Sequence, residues 1–140
     1  MQTDKGAIEI RNDPREIESA QERLIALIER HGYARASLFA LRLAVHEALV
    51  NAFRHGHKTL AAPAPVKVAY TVGDRSVRIA VQDKGPGFRP QDVPDPTDEA
   101  NLERGSGRGL LLIRSYMSKV EHNTKGNRLV MVYKKPKAAQ

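Results

Sequence analysis

The spacing of apolar and polar residues changes period several times along the chain, and each change marks an element. Ile8 and Ile10 alternate with Ala7 and Glu9, so Gly6 to Arg11 reads as a short first strand. Asp13-Pro14 then places a capping side chain before a proline at the first helical position. The stripe Ile17, Leu24, Leu27, Ile28 carries a helix to about His31, and Gly32 supplies its stop. Ser37 is expected to open a second helix. In it Leu38, Leu41, Val45, Leu49, Ala52 and Phe53 recur at helical steps until Gly56.

A proline–alanine connector, Thr59 to Pro65, leads to two alternating runs, Val66-Val68-Tyr70-Val72 and Val77-Ile79-Val81. Gly73-Asp74 joins them, and a glycine-first turn suits the twist of paired strands, so a hairpin is predicted. From Lys84 to Gly107 periodicity fades into glycine, proline and an acidic middle, and a connection of that length in a small domain is usually functional or disordered. A third helix is expected over Gly109 to Lys119, with Leu110, Ile113 and Met117 on one face. A second hairpin, Val120 to Thr124 and Leu129 to Tyr133, follows around Lys125-Gly126-Asn127. The architecture implied is α+β: a layer of strands covered on one side by helices. Residues 1–136 form one domain and 137–140 a basic tail.

Composition narrows the function classes. With 140 residues, 41% hydrophobic and 28% charged, the chain can bury one core and reads as globular. It contains no cysteine, no apolar run of about 18 residues and no leader pattern, so a soluble, cytoplasmic protein without a membrane partner is expected. The net charge of +7 suggests nucleic acid. The basic residues are scattered, however, and four tyrosines and three phenylalanines make a poor stacking surface. A solvated basic face, with no direct nucleic-acid binding, is the simpler account.

Three stretches carry candidate chemistry. Glu47, Asn51 and His55 are four residues apart, and each step turns a helix by about 400°, so they share one face. The Asn51 oxygen can ligate Mg²⁺ as a neutral donor, and Glu47 can deprotonate a group attacking a phosphate. Taken alone, the triplet reads better as an ordinary polar helix face. Asp83-Lys-Gly85-Pro-Gly87 follows the second alternating run. Its aspartate can accept from an exocyclic amine, and its glycines let backbone pass a flat ring, although the same residues also make a common turn. Gly105-Ser106-Gly107-Arg108-Gly109 precedes an apolar helix and can offer amides and a cation to phosphates. Neither a dinucleotide fingerprint nor a P-loop is present, and His46-Glu47 lacks the second histidine of a zinc hydrolase because Val50 stands there.

In order and spacing, the three stretches resemble the N, G1 and G2 boxes of GHKL-type (Bergerat) ATPases, over nearly the whole chain. Within that group, Glu47-x-x-x-Asn51-Ala-x-x-His55-Gly56 and Leu102-Glu103-Arg104 ahead of the glycines resemble the bacterial anti-sigma factor serine/threonine kinases. The resemblance implies a two-layer α/β sandwich, with a mixed sheet covered on one face by three helices and a long ATP lid. It implies ATP and Mg²⁺ as cofactors, Glu47 as catalytic base, Asn51 as metal ligand and Asp83 as adenine contact. His55, Gly85, Gly87 and the lid residues Arg104, Gly105, Ser106, Gly107, Arg108 and Gly109 would surround the nucleotide.

The implied function is partner switching. The protein would sequester a sigma factor and phosphorylate an anti-anti-sigma (STAS-type) protein on serine or threonine, as a homodimer. Two alternatives stay open: a nucleotide-dependent binding module without kinase activity, and the stand-alone ATP-binding domain of a sensor histidine kinase.

Overall fold

A computed structural model describes residues 3–56, 65–83, 113–123 and 128–137, with the side chains of residues 54–56 left out. The order is β1 (Asp4–Ile10), α1 (Pro14–Arg30), α2 (Arg35–Gly56), β2 (Val66–Val72), β3 (Ser76–Gln82), a helical turn at 113–116, β4 (Lys119–His122) and β5 (Arg128–Lys134).

α1 starts where its signals put it. Asp13 is extended and its carboxylate accepts from the Arg15 backbone N–H at 2.9 Å, satisfying one of the free donors of the first turn. At the other end Gly32 adopts φ 81°, a left-handed turn that a Cβ would strain. α2 opens at Arg35, so Ser37 is not its first residue. Ser37 is instead buried, and its Oγ accepts from the Tyr133 hydroxyl at 2.7 Å, which removes it from capping.

The strands form one sheet in the order β1-β2-β3-β5-β4, and every described pairing is antiparallel. The mixed sheet expected from the resemblance is therefore corrected. α1 and α2 together return the chain so that β2 runs against β1, and β2–β3 and β4–β5 are hairpins. β3 and β4 do run the same way, but β5 lies between them. The third helix is also shorter at its end than expected. Its described part stops at 116, and β4 takes Lys119. The cause is the Ser118 N–H, already committed to Val132 O of β5 at 2.8 Å. The connector up to residue 64, residues 84–112 and the predicted Lys125-Gly126-Asn127 turn lie outside the described residues.

One face of the sheet makes the core. Val66, Val68 and Val72 of β2, Val77, Ile79 and Val81 of β3, and Leu129 and Met131 of β5 are buried against Leu24, Ile25, Ile28, Leu41, Val45 and Leu49. Ala44 and Ala48 supply small contacts on α2. Residues Arg35–Phe53 are long and apolar enough to cross a membrane, but 56% of that stretch is buried, with Leu41, Val45 and Leu49 in the core. Arg42 of α2 pairs with Glu22 of α1 at the surface.

Candidate functional site

The position of the site follows from two lengths. Tyr133 is the Cα partner of Val77, and its hydroxyl bonds Ser37, so the start of α2 is level with the start of β3. α2 stays buried on the sheet as far as Phe53, so it travels along β3 and not away from it. From Ser37 to Asn51 the helix rises about 21 Å. From Val77 to Asp83 the strand covers about 20 Å. Asn51 and Asp83 thus emerge at the same end of the molecule, although they stand 32 positions apart in the chain.

Both are polar residues removed from solvent, at 7% and 6% exposure. The Asn51 amide nitrogen is buried and finds no hydrogen-bond partner among the described residues. Leaving such a group unsatisfied costs about 1–3 kcal/mol, so a partner from a ligand or solvent has energetic reason to be there. Turning the amide about its last torsion exchanges nitrogen for oxygen, and the oxygen is a neutral ligand suited to a hard cation. Among the described residues no group of three or more His, Cys, Asp or Glu side chains could hold a metal, so a cation here would rest on Asn51 together with groups of the ligand itself. Glu47 stands one turn before Asn51 and is half-buried.

The remaining expected residues divide by location. His55 belongs by its backbone to the last turn of α2, and its side chain lies outside the described set. Gly85 and Gly87 of the strand-end turn lie outside the described residues, as do Arg104, Gly105, Ser106, Gly107, Arg108 and Gly109 of the glycine-rich stretch.

A second polar cluster occupies the opposite end of the sheet. His31 closes α1, and its side chain is only 8% exposed. Nδ1 lies 2.7 Å from Asp74 and Nε2 2.7 Å from Asp4. Hydrogen bonds to both carboxylates raise the His31 pKa above 6.5, and the hydrogen bond from His31 lowers that of Asp74. Lys135 donates to the His31 carbonyl at 2.7 Å and sits 4.5 Å over the Tyr33 ring, whose hydroxyl bonds Gly73 O at 2.8 Å. Burial pushes the Tyr33 hydroxyl up to about 12. No motif announced this cluster, because its members come from four distant segments. Gln21 on α1 was missed too; its buried amide nitrogen lacks a partner among the described residues. His122 is half-buried on β4, and burial followed by the nearby Arg114 lowers its pKa.

Residues 10–133 match the family described as histidine kinase-like ATPase domain. The serine-protein kinase RsbW of Listeria monocytogenes is 26% identical over 124 residues, covering 84% of this chain and 78% of the relative. The family match runs from the last residue of β1 almost to the end of β5 and so takes in both buried polar positions. With its antiparallel sheet, its helical layer and an ATP-binding, kinase-type family matching nearly all of its length, the chain belongs to the histidine kinase-like ATPase domains.

Proposed function

We propose that this protein is an anti-sigma regulatory kinase: it holds a sigma factor inactive and uses MgATP to phosphorylate an anti-anti-sigma protein of STAS type on serine or threonine. The observation that carries the reading is the pair Asn51 and Asp83, two buried polar groups, one in the last turns of α2 and one directly after β3. The similarity to a serine-protein kinase supports the choice of acceptor.

In this reading Asp83 accepts from the adenine amine, and Asn51 holds Mg²⁺ through its amide oxygen. The cation neutralises charge on the phosphates when bound. Glu47 takes the proton of the acceptor hydroxyl as its oxygen bonds the terminal phosphorus and the bond to ADP breaks. Its half-buried position leaves the carboxylate within reach of an incoming side chain. Arg104, Ser106 and Arg108, with the backbone of Gly105, Gly107 and Gly109, are assigned to the phosphates, and His55, Gly85 and Gly87 to the rest of the nucleotide. The protein works in the cytoplasm as a homodimer.

The test is incubation of the purified chain with MgATP and a purified STAS-type protein, followed by intact-mass analysis. A gain of one phosphate on a serine or threonine of the STAS protein is expected. MgATP binding without any transfer to serine or threonine would leave the ATPase fold standing and remove the kinase assignment.

A further inference from the structure

The sheet has a second face, opposite the helices, and it has its own composition. Strand alternation and register place Ala7, Ala69, Ala80 and Val130 side by side across β1, β2, β3 and β5, all pointing away from the core. Ala80 is only 3% exposed although it points outward, so it lies at the floor of a depression. That depression, about 350 Å³, is bordered by Lys67, Gln82, Asn123 and Arg128.

Cations flank this row of small residues on both sides. Lys67 and Arg128 lie two positions along their strands toward the Asp83 end. Lys5, Arg78 and Lys119 lie two positions toward the other end. Lys119 meets Glu121 at 3.0 Å. Lys5, Lys67, Arg78 and Arg128 form no ion pair among the described residues, not even Lys67 with Glu9, its Cα partner. No described element packs on this face.

We propose that this face docks an acidic helical segment of another protein. The two cation rows are four residues apart along the strands, about 13 Å, and a helix with its side chains is about 10–12 Å wide. Small residues between the rows let the backbone of such a helix approach, while carboxylates on its flanks meet the cations. A second copy of this chain is disfavoured, because a two-fold contact would set like charges on each other. Nucleic acid is disfavoured as well: no outward position on this face is aromatic, and alanine and valine offer a base nothing to stack on. The surface lies on the opposite side of the sheet from α2 and does not depend on the nucleotide reading.

The experiment titrates the isotopically labelled full chain, without nucleotide, with a 14-residue helical peptide of alanine, leucine and glutamate. A 14-base-pair DNA duplex is the parallel arm. The peptide should move the amide resonances of Ala69, Ala80 and Val130. Combined Arg78→Glu and Arg128→Glu should weaken binding by about tenfold or more. The control reversal Arg23→Glu with Arg30→Glu on α1 should change it less than twofold, with all variants checked by circular dichroism. Three results would each overturn the proposal: shifts located elsewhere or lost equally in the α1 control, duplex DNA binding this face more tightly than the peptide, or sedimentation as a dimer that shields these amides.

Discussion

His31 and Asp74 stand 43 positions apart in the chain, yet the histidine Nδ1 lies 2.7 Å from the aspartate oxygen while Nε2 faces Asp4. A carboxylate only accepts, so both ring nitrogens must carry protons, and the bridge requires the imidazolium form. It ties the end of α1 to the β2–β3 turn and to the start of β1.

The bridge sets a pH dependence of stability. The raised histidine contributes stability that is complete below 6.5 and disappears as pH climbs through its higher folded value. The lowered Asp74 contributes above 3.8 and loses its part as pH drops through its lower folded value. Melting curves of the native chain and of His31→Gln should therefore differ most between those limits and converge toward alkaline pH. A gap that stays constant from mildly acidic to alkaline buffer would show that the imidazolium is not responsible.

Asn51 should behave unlike an ordinary buried polar residue. Its amide nitrogen has no partner among the described residues, so Asn51→Leu removes an unsatisfied group and should leave the melting temperature of the nucleotide-free protein equal or higher. The same change should abolish the calorimetric heat of MgATP binding. A marked loss of stability without nucleotide would mean that the amide is already satisfied inside the protein.

Glu47→Gln separates binding from chemistry. The half-buried side chain keeps its shape but loses its basicity, so MgATP affinity should hold while phosphoryl transfer falls by about 10²-fold or more. Unchanged transfer in a single-turnover assay would exclude Glu47 as the base.

The Tyr133–Ser37 hydrogen bond levels α2 with β3, and a double-mutant cycle can weigh it. Tyr133→Phe leaves the buried serine hydroxyl without its donor and should cost about 1–3 kcal/mol in urea denaturation. Adding Ser37→Ala should recover part of that loss. Strict additivity of the two changes would indicate that no such bond exists.

Gly32 offers a backbone test. At φ 81° an alanine has room but adopts a left-handed conformation, costing about 1–2 kcal/mol. The comparison substitution Gly73→Ala has no positive φ to oppose it and should cost less.

Much of the local structure was legible because it depends on neighbours in sequence. Asp13-Pro14 and Gly32 bracket α1, and alternating valines make the β2–β3 hairpin, since capping and side-chain period act over a few residues; its loop, however, spans residues 73–76 without a positive φ at Gly73, so it is not the glycine-first turn expected. The candidate site was half legible. Four-residue spacing put Glu47 and Asn51 on one helix face, but that spacing is shared with any solvated helix.

Only the tertiary structure decided that Asn51 and Asp83 are buried at one end, because their meeting depends on how far a helix and a strand travel from a common level. It also decided that β5 lies between β3 and β4, that Ser37 belongs to the core and not to a cap, and that His31 is gripped by two carboxylates. Each of these joins residues far apart in the chain. Hydrophobic period and turn chemistry act locally and say which face of an element is buried, but which distant partner meets it is settled by packing all the elements at once.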